Sequence, residues 1–288
     1  MPTLRQYTEA LASALQPVYE APEAQAIAGE VLEQVLQLTP LQRRVQAQQE
    51  IPAASLGALA AIQARLLQHE PLQYVLGVAH FAGLALEVTP ATLIPRPETE
   101  ELVEWIVREQ TGRAGLRVLD VGTGSGCIPV ALGRRLPGAH ITTVDIDPEA
   151  LAVARRNARR YEVAVTFQQA DILTTQPADL PAPVDVLVSN PPYVLENERP
   201  FMRANVLAYE PATALFVPNH DPLLFYRRIA ELGTILLASG GKLYVEINEQ
   251  FAEEIMALFQ GAGYQETMVQ PDIFGKPRMA RATWPGPA

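Results

Sequence analysis

Asn190-Pro191-Pro192-Tyr193 brings several reactive or recognising groups into four positions. Asn190 offers a carbonyl oxygen and an NH2 group, Pro191 a carbonyl on a residue without an N–H, and Tyr193 a flat ring. Two oxygens held at a fixed separation can accept both hydrogens of a planar NH2 group while a ring stacks behind its plane. Such a group belongs to a carboxamide or to the exocyclic amine of a base. Both nitrogens are conjugated and weakly nucleophilic, so an electrophile must be brought to them in line. The two prolines remove two backbone donors and fix two φ angles, which makes the loop stiff. Asn and Pro are also ordinary turn residues, so a loop that merely ends a strand is the competing reading.

The loop follows Val184, Val186, Leu187 and Val188, four apolar residues within five positions. Such a run marks a strand buried on both faces of a parallel sheet. The tetrad therefore ends a buried strand on the side where open α/β sheets bind ligands. A second signature lies upstream in Arg117–Cys127, RVLDVGTGSGC. An apolar strand runs into Gly122-Thr123-Gly124-Ser125-Gly126, and an apolar helix, Ile128–Leu136, follows; this is the context of a nucleotide-binding fingerprint. The third glycine comes one position early for the dinucleotide pattern, where Cys127 stands. The loop is thus poorly suited to a pyrophosphate and better matched to S-adenosylmethionine.

Further acids follow at the expected places. Asp145 ends the next strand, His140–Val144, and is positioned to accept hydrogen bonds from both ribose hydroxyls. Asp120 is expected to hold the ligand's amino group or to brace the loop. Asp171 is expected either to meet an adenine amino group or simply to cap a strand end, with Ile172 packing on the ring. Cys127 reads as a small buried side chain beside the loop, not as a nucleophile.

The elements carrying these residues divide the chain. Residues 1–76 show helical periodicity, as in Leu4, Tyr7, Leu11 and Leu15, punctuated by Pro17, Pro22, Pro40 and Pro52. Four or five short helices are expected there, to touch a partner or to cover the second domain. Residues 77–97 read as a hairpin and linker; Tyr74–Gly77, His80–Phe81 and Leu84–Val88 suggest strands, with Gly83 at the turn. Arg96, between two prolines, is either a linker arginine or a ligand contact, and Thr99 or Glu98 is placed to cap a helix over Glu101–Arg108.

Residues 98–288 alternate strand and helix, the pattern of an α/β domain with a mostly parallel sheet. Asp147-Pro148 starts a helix over Glu149–Arg160 whose arginines 155, 156, 159 and 160 read as a solvated face. A strand over Val163–Gln168 follows, and Leu195–Asp221 reads as a lid. A helix over Leu223–Ala238, a strand over Lys242–Ile247, a helix over Phe251–Gln260 and a hairpin of Gly263–Val269 with Arg278–Trp284 complete the expectation.

Composition bounds the function. The net charge of −10 argues against broad contact with nucleic-acid phosphates and favours a protein or small-molecule substrate. No apolar run is long enough for a bilayer, and the N-terminal stretch lacks the basic start and apolar core of a secretory signal. One cysteine fits a reducing cytoplasm. His69, His80, His140 and His220 show no metal-ligand spacing, so no metal is expected.

The glycine strand–turn–helix, the acid ending the second strand and N-P-P-Y ending the fourth together resemble class I S-adenosylmethionine-dependent methyltransferases. With P-R-P-E-T-E at Pro95–Glu100 and the N-terminal helices, the chain resembles the HemK/PrmC family of release factor glutamine methyltransferases over nearly its whole length. The resemblance implies a Rossmann-like seven-stranded sheet with the last strand antiparallel, and S-adenosyl-L-methionine as cofactor. It implies methyl transfer to the side-chain amide nitrogen (N5) of the glutamine in the G-G-Q motif of class 1 peptide chain release factors. It assigns Gly122, Thr123, Gly124, Ser125, Gly126, Asp145, Ile172 and Asn190 to the cofactor. Asn190, Pro191, Pro192 and Tyr193 would hold the glutamine amide, with Asn190, Pro191 and Tyr193 catalytic. Ile172 stands where many relatives carry an aromatic residue, which implies weaker stacking, and Val217–Pro222 departs from their glycine-rich turn. Two rival functions are an adenine N6-methyltransferase acting on DNA or RNA, since the tetrad serves an exocyclic amine equally well, and a non-enzymatic cofactor-binding module.

Overall fold

The structure is a computed structural model and describes residues 1–287. The chain forms two compact units, Met1–Val78 with Arg203–Tyr209, and Ala79–Met202 with the chain from Glu210 onward.

The first unit is helical. Its elements are α1 (Leu4–Leu15), α2 (Ala21–Leu36), α3 (Pro40–Val45), α4 (Ala53–Leu66) and α5 (Leu72–Leu76), joined later by α9 (Ala204–Tyr209). Thr3 opens α1 with a capping box, its hydroxyl accepting from the Gln6 N–H while the Gln6 side chain accepts from the Thr3 N–H. Thr39 and Gln42 repeat the device at α3. Leu4, Leu11, Leu15, Ile27, Val31, Leu59 and Leu66 are all buried in one apolar core. The strand expected at Tyr74–Gly77 is instead the end of α5. Arg65 donates to the Tyr74 and Val75 carbonyls, each at 3.1 Å, and so satisfies the helix end that a short helix leaves open. Gly77, at φ +71°, then terminates it in the left-handed conformation that glycine tolerates.

The second unit begins one residue into β1 (Val78–Phe81), which forms a hairpin with β2 (Leu84–Glu87), then α6 (Pro97–Gln110) and β3 (Arg117–Val121). There follow α7 (Cys127–Arg135), β4 (His140–Asp145), α8 (Pro148–Arg160), β5 (Val165–Gln169) and β6 (Val184–Ser189). The short strands β7 (Val194–Leu195) and β8 (Phe216–Val217) precede α10 (Leu224–Leu236), β9 (Leu237–Glu246), α11 (Ala252–Gly261), β10 (Gln265–Pro271) and β11 (Pro277–Thr283).

Seven strands form one sheet in the order β10-β11-β9-β6-β3-β4-β5. All neighbouring pairs from β9 to β5 are parallel, while β11 runs antiparallel to both β9 and β10. Apolar clusters cover both faces, Leu119, Leu187 and Leu243 facing α10 and α11, Val118, Val186 and Val188 facing α6 and α7. Burial on both sides is why these strands are near-continuously apolar. The chain winds outward from β3 through β4 to β5, then returns to place β6 on the other side of β3. The carboxyl ends of β3 and β6 therefore diverge at a topological switch point.

One expectation on element limits needs correction. The strand expected from Lys242 starts at Leu237, because a register irregularity opposite Val184–Val186, with Gly240 at φ +76°, absorbs the extra residues. Within Leu195–Asp221, read from the sequence as a lid, β7 and β8 pair in parallel, and 3-10 turns cover Glu196–Phe201 and Ala212–Ala214. Among the described residues no helix is long and apolar enough to cross a membrane.

Candidate active site

A cavity of about 380 Å³ opens at the carboxyl ends of β3, β4, β5 and β6, within the size range of small-molecule sites. Gly122 and Gly124 border it from β3, Asp145 from β4, Asp171 and Ile172 from beyond β5, and Asn190, Pro191 and Pro192 from beyond β6. Residues remote in sequence thus meet because parallel strands share one end.

The glycine loop is held by hydrogen bonds from its backbone. Gly122, Gly124 and Gly126 all have positive φ, which turns the chain sharply out of β3. The Gly124 N–H donates to Asp145 Oδ2 at 2.8 Å, and the Asp147 N–H donates to Oδ1 at 3.0 Å. Each carboxylate oxygen keeps further lone-pair capacity beside the cavity. Burial pushes the Asp145 carboxyl above its ordinary range, opposed by these backbone donors. Thr123, Ser125 and Gly126 do not border the cavity, in contrast to Gly122 and Gly124. The Thr123 and Ser125 side chains are buried. At Gly126 a Cβ would sit 2.9 Å from the Ala154 Cβ, so this glycine is required for α8 to pack against the loop.

Asp120 is fully buried beneath the loop and does not reach the cavity. Its Oδ2 accepts from the Thr143 hydroxyl at 2.6 Å. Desolvation pushes its pKa up to about 7. Its carboxyl is tied to Thr143 of β4 and stands off from the cavity. Asp171 borders the cavity and also accepts from the Leu173 N–H at 3.0 Å and the Thr174 hydroxyl at 3.3 Å, so it caps its own turn and keeps lone-pair capacity beside the cavity. Ile172 forms an apolar wall with Ile229 and Phe225 of α10. Burial holds the Cys127 thiol up at about 12, far from a thiolate nucleophile.

The other wall is built by side chains from distant segments. Ser189 closes β6 by donating to the Val121 carbonyl at 2.7 Å. Asn190 follows, and its Nδ2 donates to Thr99 Oγ1 at 3.1 Å. The Thr99 hydroxyl donates to Glu246 Oε2 at 2.6 Å, and the Tyr193 hydroxyl donates to Glu246 Oε1 at 2.9 Å. Glu246 is buried at the end of β9. Tyr193 is pinned a second time, its carbonyl accepting from Asn248 Nδ2 at 3.1 Å. Tyr193 is therefore anchored through its hydroxyl and its carbonyl, its ring packs against the apolar core, and it does not line the cavity. Thr99 likewise caps no helix: α6 begins at Pro97 with no side-chain cap, and its hydroxyl goes to Glu246.

Arg96 is neither a free linker arginine nor a cavity residue. It pairs with the buried Glu210 at 2.7 Å, and Glu210 also accepts from the Ile94 N–H. The helical arginines 155, 156, 159 and 160 are exposed, and Arg156 pairs with Glu87 at 2.8 Å. Sequence reasoning missed Thr99 as a site residue, Glu246, and the aromatic wall of Phe216 and Phe225. One signal was available: Glu246 is a lone carboxylate inside the apolar run Leu243–Ile247, a place where an acid needs buried partners.

The chain's likeness to known proteins agrees with this architecture. Residues 99–215 match the methyltransferase small domain, and residues 4–77 match the PrmC N-terminal domain. The release factor glutamine methyltransferase of Bacteroides thetaiotaomicron is 42% identical over 279 residues, 97% of this chain and 99% of that protein. That of Flavobacterium psychrophilum is 38% identical over 98% of this chain and 99% of its own length. Among solved structures, a methyltransferase from Pyrococcus furiosus shares the fold with a TM-score of 0.52 at 20% identity, covering 79% of this chain and all of that one. With this sheet, this cavity and relatives matched end to end, the chain belongs to the release factor glutamine methyltransferase family, enzymes of the class I S-adenosylmethionine-dependent fold.

Proposed function

We propose that this protein transfers a methyl group from S-adenosylmethionine to the side-chain amide nitrogen (N5) of the glutamine in the G-G-Q motif of class 1 peptide chain release factors, in the cytoplasm. The observation that carries the reading is Asn190. It borders the cavity with its NH2 group engaged by Thr99, which leaves its carbonyl oxygen as an acceptor for an N–H.

The residues present fit the cofactor. Asp145 offers carboxylate lone pairs for ribose hydroxyls, Gly122 and Gly124 allow close backbone approach, and Ile172, Ile229 and Phe225 provide an apolar wall for a base. The positively charged sulfonium supplies an electrophilic methyl group. Asn190 Oδ1 and the Pro191 carbonyl would accept the two amide hydrogens and turn the nitrogen outward from the tetrad. These oxygens also favour the partial positive charge that develops on the NH2 group, so positioning and electrostatics supply the catalysis. The amide proton leaves after transfer, so no strong base is needed. Pro192 and Tyr193 would act by stiffening the loop, and Tyr193 by anchoring it to Glu246.

The test is transfer of labelled methyl from S-adenosylmethionine to a purified class 1 release factor, run beside the same factor with Gln→Ala in its G-G-Q motif and beside a DNA duplex. Label on the unaltered factor alone is the expected result. Label on DNA, or on nothing, would overturn the substrate assignment. The adenine alternative shares the tetrad chemistry, and the net charge of −10 weighs against a polyphosphate substrate.

A further inference from the structure

Asn190 has a symmetric-looking side chain with opposite ends: the oxygen accepts, the nitrogen donates. Only one orientation presents the oxygen to an acceptor's N–H. Asn190 itself carries nothing that selects this orientation, so the selection has to come from its neighbours.

The neighbours form a directed relay. Glu246 is buried, and as a carboxylate it can only accept. It takes one hydrogen bond from the Thr99 hydroxyl at 2.6 Å and another from the Tyr193 hydroxyl at 2.9 Å. Thr99 has a single proton, and that proton is committed to Glu246. Its oxygen can therefore only accept from Asn190, at 3.1 Å, so the Asn190 NH2 group must face Thr99. The carbonyl oxygen is then left for the cavity.

The relay is held at both ends of one helix. Thr99 lies in the first turn of α6 and Glu109 near its end, about 15 Å apart at 1.5 Å per residue. Glu246 and Lys242 lie about 13 Å apart along β9 at 3.3 Å per residue. Glu109 pairs with Lys242 at 2.6 Å while Thr99 meets Glu246, so helix and strand are pinned in register twice.

We infer that Thr99 and Glu246 are positioning residues for methyl transfer: their hydrogen bonds fix which end of the Asn190 amide meets the acceptor. The inference rests on the reading that Asn190 Oδ1 receives the acceptor's N–H. Burial raises the Glu246 carboxyl above its ordinary range, with Thr99 and Tyr193 opposing; Glu98 on α6 adds to the rise and Arg278 on β11 counters it. Protonation would give Glu246 a donor, release Thr99 from its commitment and allow the amide to reverse.

The experiment compares Thr99→Val, Thr99→Ser and Glu246→Gln with the unaltered protein. Methyl transfer to the release factor is resolved into kcat and acceptor KM, and S-adenosylmethionine affinity is measured separately. Thr99→Val is expected to lower kcat about 10- to 100-fold with cofactor affinity within about threefold, as loss of one charge-relayed hydrogen bond would do. Thr99→Ser keeps the hydroxyl and is expected to stay within about threefold of the unaltered rate. Glu246→Gln is expected to fall with Thr99→Val and to lose the acid limb of the kcat–pH profile. A readout without any acceptor runs beside these: the Asn190 side-chain NH2 resonances, assigned by their disappearance in Asn190→Asp. They should show one hydrogen-bonded proton in the unaltered and Thr99→Ser proteins and none in Thr99→Val. Equal impairment in Thr99→Val and Thr99→Ser would mean packing, and an unchanged NH2 signature in Thr99→Val would overturn the relay. If the unaltered protein leaves the release factor unlabelled, the substrate reading fails while the resonances still decide the relay.

Discussion

The glycine loop beyond β3 and the tetrad beyond β6 end neighbouring strands of one sheet, yet they are stiffened by opposite means. At the loop the backbone does the holding: positive φ at three glycines, and two backbone N–H groups on the Asp145 carboxylate. The partners lie within about 20 residues of one another, as a strand–turn–helix unit requires. At the tetrad side chains do the holding, and the partners are 91 residues away at Thr99 and 53 residues beyond Tyr193 at Glu246. The Asn190–Thr99–Glu246–Tyr193 network joins side chains from three separate segments. A cofactor with many contacts can be held by a backbone cradle. A single amide nitrogen needs an oriented side chain.

That contrast can be broken most severely at Asn190. Replacing it with alanine should lower turnover about 1,000-fold, the scale of losing a hydrogen-bonding group that acts on the reacting centre, and leave cofactor affinity within a few-fold. Initial rates at saturating cofactor, set beside calorimetric titration, would show the division; equal losses in both would erase it.

Asp120 gives the next largest effect, read in stability. Its native pKa of about 7 stands above the ordinary 3.8, so between pH 4 and 7 the native state holds a proton that the unfolded chain has released. Stability from this group is therefore complete below about pH 4 and is lost as pH rises towards 7. Asp120→Asn should remove this fall, up to about 4 kcal/mol at 1.36 kcal/mol per unit. Denaturant unfolding of both proteins across that range, in the absence of cofactor, measures the difference; parallel pH curves would contradict it.

Asp145→Ala is the mirror image of the Asn190 change. Cofactor affinity should fall about 10- to 100-fold, on the scale of a charged group's hydrogen bonds, while turnover at saturating cofactor changes much less. Rates measured over a wide cofactor range would separate the two, and a drop in kcat with unaltered affinity would count against this placement.

The smallest expected change is Gly126→Ala. With φ at +81° and a Cβ only 2.9 Å from that of Ala154, α8 must shift, and stability should drop by about 1–2 kcal/mol. A thermal melt would detect this. An unchanged melting temperature would mean that the loop relaxes freely and is not a rigid cradle.

Much of the fold was legible without coordinates. The apolar runs of β3 and β6, the glycines between β3 and α7, and the acid ending β4 all have local causes, and they assemble at one sheet end as expected. Where expectation and structure part, the missing information is tertiary. Tyr74–Gly77 has strand-like composition but closes as a helix because Arg65 satisfies its carbonyls. Thr99 has the sequence context of a helix cap, yet a carboxylate 147 residues away takes its proton. Phe225 joins the cavity wall because α10 lies over that face of the sheet, a placement that helical periodicity alone does not specify.

What the sequence by itself determined is therefore a parallel α/β scaffold, the two loops at its carboxyl edge and the chemical groups they carry. These follow from φ restrictions at glycine and proline and from the periodicity of apolar residues, all of which act over a few positions. Only the tertiary structure decided that Tyr193 is anchored to Glu246, that Thr123 and Ser125 are buried, and that the Asn190 NH2 group meets Thr99. A hydrogen bond is directional and short, so which group a side chain meets depends on packing between distant segments that no local pattern encodes.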